Sequence, residues 1–126
     1  MCFDEKYEKK ISLGREGEDR VARYLKQNGY IIVKRNYRER FGEIDIIAEN
    51  NTYLVFVEVK TRSEGAIVSG VEALDRNKQF RVYKTGMSFL KRLHIDLIPR
   101  FDVAEVTVTK SEDGEKWSLN YIENAF

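Results

Sequence analysis

Apolar and polar positions alternate with two periods along this chain. From about Ser12 to Asn28, Gly14, Glu18, Val21 and Leu25 recur at i, i+4, i+7 and i+11, one stripe of a helix, and Asn28-Gly29 supplies a stop. A strand follows over Tyr30–Tyr37, then the basic loop RERFG. Strands are predicted at about Glu43–Ala48 and Tyr53–Thr61, joined through an Asn-Asn turn. The small-residue loop SEGAIVSG precedes a second helix at about Arg76–Leu93, with Asp75 as its N-cap. Beyond Pro99, RFDVAEVTVT reads as a strand. An Asp-Gly turn in SEDGE joins it to a last strand, WSLNYI. The order α-β-β-β-α-β-β predicts an α/β fold, a mixed central sheet flanked by helices.

The central hairpin carries charges where a core would be expected. A turn centred between Asn51 and Thr52 pairs residues whose numbers sum to 103, which sets Asp45 opposite Glu58 and Glu43 opposite Lys60. Period-2 alternation then puts Ile44, Ile46, Val57 and Val59 on one apolar face, and Asp45, Glu58 and Lys60 on the other beside Ile47 and Phe56. Facing carboxylates repel and destabilise a sheet. A divalent cation bridging Asp45 and Glu58 would offset the cost, and so would a salt-bridged face with no further role. Glu18 sits on the inward stripe of the first helix, while Glu16 falls with Arg20, Arg23 and Gln27 on the polar face. An inward carboxylate needs a cation, either a metal or a base such as Lys60. Gly14 and Gly17 beside it would let the helix approach the sheet closely.

Composition narrows the chemistry. A chain of 126 residues, 42% apolar and 34% charged, suits one soluble domain over residues 1–126. One cysteine, Cys2, and one histidine, His94, exclude a Cys/His zinc site, so a metal here would take oxygen ligands. No apolar run is long enough to cross a membrane, and the charged N-terminus does not read as a signal peptide, so a cytoplasmic protein is expected. The net charge of +1 is unevenly spread. Arg76–Arg100 holds seven basic residues against Asp96 alone, and Lys34–Arg40 holds four against Glu39. This can present a basic face to a polyanion.

Asp45 followed by Glu58-Val59-Lys60 resembles the signature of the restriction-endonuclease-like, or PD-(D/E)XK, nucleases. LGREGEDRVARYL, NGYIIVKRNYR, GEIDIIA, LVFVEVKTR, RFDV and the terminal NAF together resemble the YraN-like uncharacterised bacterial protein family over nearly the whole chain. That family is similar to archaeal Holliday junction resolvases, in which a helical glutamate precedes the Asp and Glu-x-Lys pair. The run Gly14 to Glu18 matches it. Ile44 stands where a proline often precedes the first Asp.

The resemblance implies a Mg²⁺- or Mn²⁺-dependent endonuclease hydrolysing phosphodiesters of DNA, with branched DNA such as Holliday junctions as one candidate substrate. It implies Asp45, Glu58 and the Val59 carbonyl as metal ligands, Glu18 as completing the site, and Lys60 as orienting the attacking water. It also implies a homodimer. Arg38, Arg40, Arg62, Lys78 and Arg81 are placed to contact phosphates, which gives salt-dependent affinity without sequence reading. The alternative is a non-catalytic nucleic-acid-binding or scaffolding protein that keeps the nuclease fold. Other residues take structural roles: His94 at a helix end, Trp117 and Tyr121 on a packed or edge strand, and Asp102 paired with Arg100 or a neighbouring strand. Cys2 is expected to be exposed.

Overall fold

The structure, a computed structural model, describes the backbone of residues 2–63, 75–93 and 95–126, and the side chains of these from residue 12 onward. His94 and most of the SEGAIVSG loop lie outside the described residues, as does the Cys2 side chain.

Helix α1 spans Cys2–Gln27, ten residues longer at its start than the apolar stripe predicts. The added segment is rich in Glu and Lys, which favour helix without needing an apolar face. Strands β1 (Ile31–Glu39), β2 (Gly42–Glu49) and β3 (Tyr53–Ser63) follow. Helix α2 (Arg76–Leu93) then leads into β4 (Ile98–Ser111) and β5 (Gly114–Ile122). The order and the mixed sheet are those expected from the sequence.

The five strands lie side by side in chain order. Successive strands pair antiparallel except β3 and β4, which run parallel because α2 carries the chain across the sheet between them. Between β2 and β3 the Asn50 side chain closes the turn, accepting the N–H groups of Thr52 (2.9 Å) and Tyr53 (2.7 Å). The pairs Ile46↔Val57 and Ile47↔Phe56 confirm the predicted sum of 103.

Each helix covers one face. On the α1 side, Val21 and Leu25 pack with Ile46, Val55, Val57 and Val106. On the α2 side, Val82 and Phe89 pack with Ile47, Leu54, Phe56 and Phe101. Burial at this density supplies the main folding drive.

One predicted face is corrected. Ile44 and Ile46 are both fully buried, but Ile46 packs on the α1 side and Ile44 on the α2 side. Alternation resets between them. In β1, Asn36 adopts the left-handed φ of 52°, and the β1–β2 pairs skip from Arg35↔Ile46 to Tyr37↔Ile44. A left-handed residue turns the strand, so Arg35 reaches α1 while Tyr37 meets Phe89 of α2 edge-on.

Arg100 and Asp102, two apart on β4, share the α1 face and pair as expected. Asp102 is fully buried and accepts hydrogen bonds from Arg100 Nε (3.0 Å), the Tyr121 hydroxyl (2.6 Å) and the Asn124 N–H (2.9 Å). This cluster ties β4, β5 and the chain end together. Trp117 lies under the Arg20 guanidinium at 4.4 Å, and Tyr121 packs on Tyr24, so both serve the packed strand β5.

Candidate active site

The reset at Asn36 falls opposite Asp45. No ladder pair with either neighbouring strand holds Asp45. The β2–β3 ladder stops at Ile46↔Val57, one step short of Asp45 and Glu58. There the Val59 N–H donates to Asp45 Oδ2 at 2.8 Å. A carboxylate thus takes a donor that a neighbouring strand would otherwise satisfy. Asp45, Glu18 and Lys60 line a cleft of about 630 Å³ between α1 and the far end of β3.

Glu58 adjoins the same end of the ladder from β3 without lining the cleft itself. It is 4% exposed, and its Oε1 lies 2.7 Å from Lys78 Nζ and 3.5 Å from Lys60 Nζ. Lys78 is fixed by the start of α2, where its N–H donates to Asp75 Oδ1 at 2.8 Å, the predicted N-cap. Lys60 shares the predicted face with Glu58, but the closer ammonium comes from a helix distant in sequence.

Burial beside Glu58 pushes the Asp45 carboxyl up to about 7. The Val59 hydrogen bond and Lys78 oppose this, and Glu18 adds to it. Burial also lowers the Lys60 pKa, with Lys78 next to it lowering it further against the pull of Glu58. Burial opposes the charge on Lys78 too, but its bonds to Glu58 and Lys60 outweigh that, and its pKa is raised. The site therefore strains against its own negative charge at Asp45 while holding two ammonium groups close together.

Glu18 points inward as its stripe predicts, with its side chain 12% exposed. Its partner is Arg35, whose NH2 lies 3.0 Å from Oε1, and Asn36 Nδ2 donates to the same oxygen at 3.1 Å. Gly17 is the glycine that permits the approach: a methyl group there would overlap Thr61 Oγ1. Gly14 is corrected, because none of the described residues lies within 4 Å of where its side chain would start.

The donor set at this site consists of two carboxylates, Asp45 and Glu58, and the backbone beside them. Among the described residues no three Asp, Glu, His or Cys side chains converge into a complete metal cage. Magnesium keeps several waters and takes one or two carboxylates, so the set fits such an ion better than a closed calcium site. Asp45 lines the open cleft with one carboxylate oxygen fixed by the Val59 N–H, and Glu58 raises the cost of its charge, which added positive charge would relieve.

The comparisons with known proteins agree with one another. The family described as "Uncharacterised protein family UPF0102" matches residues 17–106. A UPF0102 protein of Alkaliphilus oremlandii is 44% identical over 117 residues, covering 90% of this chain and 97% of the relative. One of Clostridium botulinum (strain 657) is 41% identical over 116 residues, covering 90% and 93%. The chain belongs to the UPF0102 family. In this UPF0102 protein the matched segment takes in Glu18, Asp45, Glu58 and Lys60.

The five basic residues expected to meet phosphate do not gather equally. Arg62 lines the cleft with Asp45. Lys78 and Arg81 line a second groove of about 360 Å³ with Gly42 and Glu43. Arg40 is exposed in the β1–β2 turn. Arg38 is exposed and paired with Glu43 at 2.8 Å. Sequence reasoning missed Arg35 and Asn36 as the partners of Glu18. Their signal was weak, because regular alternation along β1 would separate their side chains. No helix among the described residues of this UPF0102 protein is long and apolar enough to cross a membrane.

Proposed function

We propose that this UPF0102 protein is a metal-dependent nuclease that hydrolyses phosphodiesters, with Asp45 and Glu58 as carboxylate ligands and Lys60 and Glu18 beside them. The carrying observation is the end of the β2–β3 ladder, where Asp45 lines a cleft with Glu18 and Lys60, and Lys60 Nζ lies 3.5 Å from the buried Glu58. A strand pair with only a structural role gains nothing from two carboxylates, Glu58 buried and Asp45 half-buried, where its ladder ends. Mg²⁺ or Mn²⁺, when bound, would activate a water and neutralise the phosphate charge.

The chain's own groups supply the rest. Asp45 is held in one orientation by the Val59 N–H. Lys60, with its lowered pKa, can accept or orient a proton of the attacking water. Lys78 and Arg62 bring positive charge to a polyanion entering the cleft. Glu18, held by Arg35 and Asn36, lines the cleft beside Asp45 and would complete the site directly or through water. DNA is the proposed substrate, and branched DNA is one form of it to be tested.

A second reading is favoured by the ion pairs Lys78–Glu58 and Arg35–Glu18, which already balance two of the three acids. In that reading the protein binds nucleic acid without cutting it. A labelled panel of four-way junction, flap, duplex and single strand, incubated with Mg²⁺, Mn²⁺ or EDTA, separates the two. Metal-dependent cutting that Asp45→Ala abolishes supports the nuclease. Binding without cutting, unchanged in Asp45→Ala, supports the second reading.

A further inference from the structure

Helix α2 presents a second surface that phosphodiester hydrolysis does not use. Its buried positions are Val82, Thr85, Gly86 and Phe89. Arg76, Phe80, Tyr83 and Lys84 recur at i, i+4, i+7 and i+8 on the side facing away from these. All four are exposed, Phe80 by 60% and Tyr83 by 49%. The β1–β2 turn adds Phe41, 39% exposed. Lys84 Nζ lies 4.6 Å from the Phe41 ring and 5.5 Å from the Phe80 ring, so one ammonium borders both.

Single exposed apolar side chains are ordinary, but two phenylalanines gathered about one cation are not scattered. The helix carrying Phe80 has six basic residues and no acid. This charge selects a polyanion over an apolar protein partner. Aromatic faces interleaved with ammonium and guanidinium groups are the form in which proteins stack unpaired bases while tracking the backbone.

The patch is continuous with the candidate active site. Phe41 directly precedes Gly42, and a side chain started at Gly42 would lie 3.2 Å from Arg81 Cβ, so the turn is seated against α2. Phe80 directly precedes Arg81, and both Gly42 and Arg81 line the groove that contains Lys78. Lys78 in turn touches Glu58 at 2.7 Å. A strand whose phosphate meets the part-exposed Lys78 ammonium would run through this groove, past Glu43 and Asp75, toward the two rings.

We propose that Phe41 and Phe80, bridged by Lys84, form a stacking platform for unpaired bases of a nucleic-acid strand next to the site of cleavage. The inference rests on the nuclease reading for the position of the cut, not for binding. Bases inside an intact duplex have no free face to offer. The platform therefore selects strands with an unpaired stretch, such as a tail, flap or gap, over blunt duplex.

The test uses the full chain in EDTA, so that turnover plays no part. Binding is measured for a blunt duplex and for the same duplex carrying a single-stranded tail with 2-aminopurine as the reporting base. The expected result is tighter binding of the tailed duplex, with quenching of the reporter. Phe41→Ala/Phe80→Ala should weaken the tailed complex about tenfold or more and leave the blunt duplex within twofold. Phe41→Leu/Phe80→Leu keeps the apolar bulk and should still lose the quenching, which guards against misfolding of the alanine pair. Equal binding of tailed and blunt duplex by wild type, or unchanged quenching in both variants, would overturn the platform and point to a protein partner. Such a result leaves the nuclease reading standing. Absence of cleavage in the metal panel, with the platform result intact, would sink the nuclease reading alone.

Discussion

The Val59 N–H donates to Asp45 Oδ2 at 2.8 Å across the point where the β2–β3 ladder ends. A backbone donor holds the carboxylate in place, while burial and Glu58 work against its charge.

That conflict gives a pH dependence. The Asp45 carboxyl ionises near 3.8 in the unfolded chain and near 7 in the fold. Between those values the folded state binds more protons, so the stability of the metal-free protein falls as pH rises through this window and the loss is complete above about pH 7. At about 1.4 kcal/mol per unit, the cost at pH 8 is at most about 4.5 kcal/mol. Asp45→Asn, whose amide oxygen can still accept from Val59, should raise the stability at pH 8 and change it little at pH 4. Urea unfolding in EDTA at the two pH values checks this; an equal effect at both would contradict it.

Lys78 holds the carboxylate that the proposed divalent cation would use. Lys78→Met leaves Glu58 buried with Lys60 at 3.5 Å. The lost ammonium is part-exposed and screened by water, so the expected cost in EDTA is about 1 kcal/mol. Added Mn²⁺ should shrink that difference, because the ion neutralises Glu58 in its place. Thermal melts with and without Mn²⁺ measure it, and a cost that metal leaves unchanged would argue against a shared role.

Gly17 and Thr61 set the spacing of α1 over the cleft. Gly17→Ala forces the helix away from Thr61 Oγ1, an overpacking expected to cost about 1–3 kcal/mol. Thr61→Ala removes the overlapping hydroxyl, so the double substitution should recover part of that loss. A double-mutant cycle by denaturant unfolding reads the coupling; strictly additive costs would show that the two residues do not determine the approach.

The Arg100–Asp102 cluster is structural, and its loss should be felt in stability alone. Asp102→Ala strands a buried guanidinium, a loss expected to cost about 3–5 kcal/mol. Mn²⁺ affinity of the folded variant should match wild type. A large change in that affinity would place the cluster in the site.

Much of this was legible in the chain. The register of the central hairpin followed from its alternation and Asn-Asn turn, because a one-residue slip would have buried charges with the core. The inward Glu18 followed from helical spacing; for Asp102 the chain left Arg100 and a neighbouring strand open, and the fold supplies both, Arg100 and Tyr121 of β5. The opposite packing of Ile44 and Ile46 was not legible. It depends on a left-handed Asn36 inside a strand, and Asn adopts that conformation only where its surroundings require it. Lys78 as the near partner of Glu58 was hidden for another reason. Its contact depends on how α2 crosses the sheet, which no local pattern encodes. Arg35 reached Glu18 through the same reset at Asn36.

The central claim is that Asp45 and Glu58 together form a divalent-cation site. Calorimetric titration of Mn²⁺ into wild type, Asp45→Ala and Glu58→Ala tests it without needing a substrate. The account predicts saturable binding of one Mn²⁺ per chain by wild type, with affinity reduced at least tenfold in each variant. No saturable binding by wild type, or equal affinity in all three proteins, would contradict it.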